Sequence, residues 1–539
     1  MTDLHDHQTI GDAWNDAVRR YGERSFLVVP AGEGRSYRSD GLEITYAEAN
    51  GEVERLMSVY ALAGYGLGHR VALLLENRPE HLLHRLALNA LGISCVPINP
   101  DYRPAEIAYL VDHSEPELIL TLRARTLQIR DALAQSQLKP HVQILEDAFA
   151  PPEPRSAAQS GSPTPATEAE ILYTSGTTGR PKGCILSHGY EIASGAWYAS
   201  RPGLAAFKPE GERIYNPLPL YHINAGVVSF YGAIVSGSCQ IQSERFHPER
   251  WWREIRATRA SIVHYLGVIV PMLLAQPASA ADKTHGVRIA LGAGCEPQLH
   301  ALCEARFGMP LLELWGMTEM VRVLIDGVEP RQVGTRAMGR AVPGIDVRVA
   351  DEKDNDVADG TSGEMMIRHS AATPRRGAFS GYLKNAEETE MSWRGGWFHT
   401  GDTVTRSADG MLHFVDRKKN IIRRSGENIA AAEIEALLLT HRDVLQVAVL
   451  AVKDEVREEE VLACVVLKAG LGGRPEAAAL FQYCFERLAY FKAPGWIWFA
   501  AELPTTGTQK LQKHMIFPGI ADPRSVAGML DFRGMKKRA

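Results

Sequence analysis

The chain has 539 residues, of which 45% are hydrophobic and 23% charged, and its formal net charge is −5 at pH 7. This is the composition of a globular protein long enough for two or more domains, and it excludes a disordered or fibrous chain. With no large basic block there is no electrostatic reason to expect nucleic acid, and the basic end Met535-Lys-Lys-Arg-Ala539 reads as a solvated tail. The seven cysteines, at 95, 184, 239, 295, 303, 464 and 484, lack the paired spacings of a zinc site, so reduced, buried thiols are expected. The start, Met1-Thr-Asp-Leu-His-Asp-His7, has neither the basic nor the apolar region of a secretory signal. No apolar run reaches membrane-spanning length, so a cytoplasmic location without a membrane span is expected.

In chain order, hydrophobic periodicity predicts helices over 9–21, 46–63 and 79–91 and strands over 71–75 and 93–98, an α/β layering. Residues 150–166, rich in Pro, Ser and Ala, have too few apolar groups to pack and read as a mobile surface linker. Ile171-Leu-Tyr173 then reads as a strand leading into Tyr173-Thr-Ser-Gly-Thr-Thr-Gly-Arg-Pro-Lys-Gly183. Here glycines let backbone N–H groups approach an anion, hydroxyls add donors and Lys182 adds a point charge, a composition suited to a polyphosphate. It is not a Walker A loop: Gly176 and Gly179 are too close together, and Pro181 separates Arg180 from Lys182. A strand over 184–186 and a helix N-capped by Ser187 follow, so the loop joins two strands. Without a helix N-terminus behind it, hydroxyls and Lys182 must carry more of the binding. Alternation continues to about residue 345, with β-rich segments after it to Val415. Beyond Asp416, a helix over 430–439, strands over 444–452 and 461–468, a helix over 476–488 and a strand over 496–500 make a compact α+β unit of ordinary domain size.

Four more segments follow the glycine loop in order: Leu314-Trp-Gly-Met-Thr-Glu319; Trp397-Phe-His-Thr-Gly-Asp402; Phe414-Val-Asp-Arg-Lys-Lys-Asn-Ile-Ile422 with Ser425-Gly-Glu-Asn428; and Leu503-Pro-Thr-Thr-Gly-Thr-Gln-Lys510. Together the five resemble the adenylate-forming (ANL) superfamily, in its acyl-CoA synthetase branch, over essentially the whole chain. The resemblance implies an α/β fold with a large N-terminal domain of layered sheets (1–415), a hinge (416–420) and a small, mobile α+β C-terminal domain (421–539). It also implies an ATP-dependent acyl-CoA ligase, with ATP, Mg²⁺ and coenzyme A as cofactor and co-substrates and a small carboxylic acid as partner; a homodimer is compatible with it. A carboxylate first attacks the α-phosphate of ATP, giving acyl-adenylate and pyrophosphate, and a thiol then displaces AMP. The first step brings two anions together, so its catalysis is mainly charge neutralisation and alignment.

By the same resemblance Thr174, Ser175, Gly176, Thr177, Thr178 and Lys182 cradle the β- and γ-phosphates. Thr318 bonds the α-phosphate and Glu319 holds Mg²⁺, whose hard charge suits carboxylate and phosphate oxygens. Gly294, Glu313, Leu314, Trp315 and Gly316 line the nucleotide site, with the Trp315 ring against adenine. Asp402 accepts from both ribose hydroxyls, and Arg417 contacts ribose or phosphate. Lys510 bridges the substrate carboxylate and the α-phosphate; the family commonly has glycine before this lysine, whereas this chain has Gln509. Lys419 maps to the pivot of a domain rotation that exchanges Lys510 for the Ser425-Gly426-Glu427 loop in the thioester step. Tyr221, His222, His264, Tyr265, Gly292 and Arg322 are placed at the acyl pocket, with His222 as its gate.

Peptide-synthetase domains for α-amino acids have an aspartate near the place of His222, so its absence argues against α-amino acids. Arg256-Ala-Thr-Arg-Ala-Ser-Ile-Val263, Gln276-Pro-Ala-Ser-Ala-Ala-Asp282 and Arg423-Arg-Ser-Gly-Glu-Asn-Ile-Ala430 resemble bacterial carnitine and crotonobetaine CoA ligases. A trimethylammonium substrate needs aromatic faces or a carboxylate, which Tyr221, Tyr265 and Glu296 would offer. Arg322 points the other way, to a substrate with a second acidic group. Two other functions stand beside the ligase: a stand-alone adenylating enzyme that loads a carrier protein, and a non-catalytic nucleotide-binding sensor.

Overall fold

The computed structural model describes residues 7–32, 35, 37–174, 181–417, 421–504 and 511–538, with only the backbone at Val321, Asp416, Arg417, Ala432 and His514. Ser175, Gly176, Thr177, Thr178, Lys419, Gln509 and Lys510 therefore lie outside the described residues, as does the Arg417 side chain.

The first helix, Ile10–Tyr21, begins at a capping box in which Thr9 Oγ1 accepts from Asp12 N at 3.1 Å and Thr9 N donates to the Asp12 carboxylate at 3.0 Å. The helices Tyr46–Leu62 and Pro79–Ala90 and the strands Arg70–Leu74 and Ser94–Pro97 fall within a residue or two of their predicted ranges. A seven-stranded sheet runs in the order Gly381–Tyr382, Lys182–Ser187, Glu168–Thr174, Ser94–Pro97, Arg70–Leu74, Leu118–Thr121, His141–Ile144. Its inner strands are parallel and almost wholly apolar, as burial on both faces requires. Beside it stands an eight-stranded mixed sheet, whose strands Ile262–Leu266, Ile289–Ala293 and Leu311–Met317 are parallel and whose edge, Met320–Ile325, is antiparallel. A five-stranded antiparallel sheet carries Phe398–Arg406 and Met411–Arg417.

The helix His188–Ala199, N-capped by Ser187, lies against Phe230–Ser236 at close range. Gly195 permits this approach, since a Cβ there would sit 2.4 Å from the Tyr231 carbonyl carbon. Deep between these layers, Arg85 pairs with Glu170 at 2.7 Å and Glu191 at 2.9 Å, all three fully buried, and donates to the Gly226 carbonyl at 2.6 Å. Gly226 belongs to a π-helical turn, Asn224–Ser229, that periodicity did not reveal.

Residues from Ile421 onward build a separate sheet around Val444–Asp454, Glu458–Leu467 and Trp496–Phe499, backed by the helices Ala431–Leu439 and Arg474–Arg487, with its own apolar cores. Ile421–Arg424 and Glu427–Ala430 form a hairpin closed by the two residues Ser425 and Gly426, with φ of 52° and 87°. Two positive φ values make this the turn that matches strand twist.

One expectation is corrected. Residues 150–166 contain no helix or strand, yet they are fastened to the body: Arg155 Nε meets Glu117 at 3.0 Å, the Ser156 carbonyl meets His69 Nε2 at 3.1 Å, and Gln159 N donates to the Leu67 carbonyl at 2.9 Å. Polar and backbone bonds do here what apolar packing could not. All seven cysteines are buried free thiols. Among the described residues no helix is long and apolar enough to cross a membrane.

Candidate active site

The loop expected to hold phosphate follows the strand Glu168–Thr174 and precedes Lys182–Ser187, and the antiparallel pairing of these strands places Thr174 opposite Lys182. Lys182 Nζ is held by the Glu388 carboxylate and lies 5.0 Å above the Tyr382 ring. Tyr382 in turn donates to Glu319 Oε1 at 2.7 Å, and burial, followed by the Glu319 charge, keeps its hydroxyl protonated. Thr318 is fixed by its backbone, whose carbonyl accepts from Tyr190 at 2.6 Å. Lys182, Thr174, Thr318 and Glu319 are thus gathered at one end of the site. Tyr382 and Glu388 were not found from sequence, because no spacing links them to the motifs they serve.

Among the described residues no group of three or more His, Cys, Asp or Glu side chains is placed to hold a metal. A lone carboxylate at Glu319 suits Mg²⁺, which keeps its waters and is bound through one or two carboxylates plus substrate phosphates.

Where the nucleoside is expected, Trp315 Nε1 donates to Asp402 Oδ2 at 2.8 Å, with both side chains buried. The Asp402 backbone N–H bonds Thr400 Oγ1 at 3.1 Å, and Asp402 pairs across the sheet with Arg417. The indole and the carboxylate predicted for adenine and ribose therefore orient each other. Glu313 accepts from Gly294 N and Cys295 N, each at 3.0 Å, and from the Tyr265 hydroxyl at 2.5 Å. Burial raises its pKa, and these three donors oppose that rise.

Two residues expected at the acyl pocket turn inward. His264 is fully buried, with Nε2 at 2.8 Å from the Tyr198 hydroxyl and Nδ1 at 2.8 Å from Asn224 Oδ1; burial lowers its pKa to about 3, so it stays neutral. Tyr265, also buried, spends its hydroxyl on Glu313. Gly292 has no room for a side chain: a Cβ there would lie 2.3 Å from the Tyr265 carbonyl.

His222 and Tyr221 face the hairpin of the small unit. Glu427 Oε2 lies 3.4 Å from His222 Nε2, and Glu427 Oε1 accepts from Tyr221 at 3.4 Å and Asn99 at 3.5 Å. The His222 charge leads the groups that hold the Glu427 carboxyl below its usual range against burial. Gly426 approaches so closely that a Cβ would meet Leu266 Cδ1 at 2.4 Å. Elsewhere across the two units, Glu458 Oε1 accepts from Val268 N at 2.7 Å and Lys492 Nζ meets Glu106 at 2.6 Å.

A large unit of layered sheets with a small α+β unit against it is the architecture of adenylate-forming enzymes. The chain belongs to the AMP-binding enzyme family, whose model matches residues 14–383; the AMP-binding enzyme C-terminal domain matches residues 433–510. Among curated relatives, the crotonobetaine/carnitine–CoA ligase of Citrobacter koseri is 28% identical over 526 residues, covering 95% of this chain and 99% of that protein. Among solved structures, the amide bond synthetase McbA from Marinactinospora thermotolerans superposes with a TM-score of 0.77 at 26% identity, covering 92% of this chain and 98% of that one. A double mutant of o-succinylbenzoate CoA synthetase (MenE) from Bacillus subtilis, bound with its product analogue OSB-NCoA, gives 0.78 at 21% identity, covering 94% of this chain and 98% of that one. MenE from Bacillus subtilis in complex with AMP gives 0.62 at 22% identity, covering 94% of this chain and 97% of that one.

Proposed function

We propose that the chain is an AMP-forming acid–thiol ligase: carboxylic acid and ATP give acyl-adenylate and pyrophosphate, and coenzyme A then takes the acyl group and releases AMP. The observation that carries this reading is the Ser425–Glu427 turn laid against Tyr221, His222 and Leu266 of the large unit. In the first half-reaction Lys182 and the hydroxyls hold the β- and γ-phosphates while Thr318 aligns the α-phosphate. Asp402, steadied by Trp315, holds the ribose. Mg²⁺ bound at Glu319 supplies charge neutralisation for the phosphate oxygens.

Lys510 drives adenylation, and the small domain then turns about 416–420 so that the 425–427 turn replaces it. The hairpin docked on Tyr221 and His222 supports this exchange. His222, beside Glu427, stands at the junction of acyl pocket and thiol entry. The domains accordingly divide as 1–415, 416–420 and 421–539. The test is AMP release over a panel of short, branched, aromatic, dicarboxylic and betaine-type acids, with and without CoA. Acid-dependent AMP formation that requires CoA supports the ligase. Pyrophosphate exchange without CoA turnover points to carrier-protein loading, and no exchange with any acid to a sensor.

A further inference from the structure

Trp197, on the helix His188–Ala199, is buried, and its Nε1 donates to the Val323 carbonyl at 3.0 Å. Two guanidinium groups lie over its ring, Arg201 at 3.6 Å and Arg322 at 5.3 Å from the centroid. Both are oriented by backbone carbonyls: Arg201 Nε donates to Trp197 O at 2.7 Å and Arg322 Nη1 to Gly344 O at 3.2 Å. Among the described residues neither meets a carboxylate within salt-bridge distance, and Arg322 Nε is buried without any hydrogen-bond partner. This is unlike two arginines buried elsewhere in the chain, Arg85, which holds two glutamates, and Arg424, which holds Glu460 at 2.7 Å. Burial lowers the pKa of both to about 10; the neighbouring Arg322 charge adds to this at Arg201, and the Arg376 charge adds to it at Arg322. Cations crowded on one indole, with a donor left over and no anion, are costly unless an anion comes from outside.

Their position relates them to the reaction. Arg322 lies three residues beyond Glu319, on the strand Met320–Ile325. One helix touches both places, through Tyr190 to the Thr318 carbonyl and through Trp197 to Val323. Seven residues of α-helix separate those two contacts by ~10 Å along the axis. Two of the groups that would suit a trimethylammonium substrate are engaged elsewhere: Tyr265 with Glu313, and Glu296 with Arg336 at 3.1 Å.

We propose that Arg322 and Arg201, stacked on Trp197, form the subsite for a second carboxylate at the far end of the acid substrate, so that the enzyme activates dicarboxylic acids. This rests on the ligase reading and adds the substrate's charge. It also sets this chain apart from a ligase for betaine-type acids, whose cationic end the arginines would repel.

The test measures AMP release with ATP and CoA on matched acids: α,ω-dicarboxylic acids of increasing length, their monomethyl esters, monocarboxylic acids of equal length, and ω-trimethylammonium acids. The expected kcat/KM for the best diacid exceeds that of its monoester by roughly 10- to 100-fold, the range of one hydrogen bond to a charged group. In Arg322→Met and in Arg201→Gln that preference collapses through KM for the diacid. Arg322→Met also raises the Tm, because an unpaired buried charge has gone. A wild-type preference for the monoester, the monoacid or the ammonium acid overturns the subsite while leaving the ligase standing, as does a diacid preference that survives both substitutions. If no acid releases AMP, both readings fall. The wild-type panel is decisive even if a variant does not fold.

Discussion

Glu106→Gln gives the sharpest access to the movement of the small domain. Lys492 Nζ lies 2.6 Å from Glu106 in the large unit and 2.8 Å from Glu433 in the small one, and the three side chains are at most 10% exposed. Burial opposes the Lys492 charge, but Glu106 and then Glu433 raise its pKa well above the usual value. Turning the small unit away must break the Glu106 contact while Glu433 travels with Lys492. Glutamine keeps the shape and can still accept from Arg103 N, as Glu106 Oε2 does at 2.8 Å. The loss should therefore be that of one charge-assisted hydrogen bond, ~1.5–3 kcal/mol. It falls short of the ~3–5 kcal/mol for orphaning a buried charge, because Glu433 remains. At 1.4 kcal/mol per decade this shifts the docked population by ~10- to 100-fold. We predict that single-turnover transfer from purified acyl-adenylate to CoA slows by that factor, while ATP–pyrophosphate exchange is unchanged or faster. Equal losses in both half-reactions, or unaltered transfer, would refute the reasoning.

Lys182→Ala should slow adenylation by more than tenfold, since a cation at ~4 Å from phosphate is worth several kcal/mol at an effective dielectric near 20 before desolvation. Transfer from preformed acyl-adenylate should be spared, and equal impairment of transfer would give the loop another role. Arg85→Met strands Glu170 and Glu191 in the core and should cost ~3–5 kcal/mol in urea denaturation; a change below ~1 kcal/mol would mean the pair simply protonates at little cost. Docking should also depend on acidity through Glu458, whose pKa is pushed up from 4.5 to about 6, chiefly by burial. The docked form then binds the extra proton, so this contribution is fully present below pH 4.5 and is lost as pH rises to about 6. Glu458→Gln should flatten the pH dependence of docking in that window, measured by fluorescence transfer between labels on the two units.

Local signals carried far in this chain. Capping at Thr9 and Ser187, apolar runs in the buried parallel strands and the α+β alternation after Ile421 each arise from contacts close in sequence, and the observed elements follow them. The motif residues were legible for the same reason, as short strings around Thr318–Glu319 and Asp402. Their partners were not. Tyr382 and Glu388 reach Glu319 and Lys182 only because Gly381–Tyr382 pairs with Lys182–Ser187 across some two hundred residues of chain. His264 and Tyr265 stand in the right strand, but the direction of a side chain depends on register, and the register points their polar atoms to Tyr198, Asn224 and Glu313. Arg322 could be noticed in the sequence, whereas its stacking with Arg201 on Trp197 depends on how a helix and a sheet edge meet.

The most direct measurement of the central claim is a balance of products from ATP, an acid and CoA, with each component omitted in turn. The ligase account predicts AMP, pyrophosphate and acyl-CoA in equal amounts over many turnovers only when all three substrates are present, and without CoA no more than about one equivalent of pyrophosphate per enzyme. Release of ADP, AMP formed without acid, or acid-dependent pyrophosphate exchange that never yields a CoA thioester would contradict it.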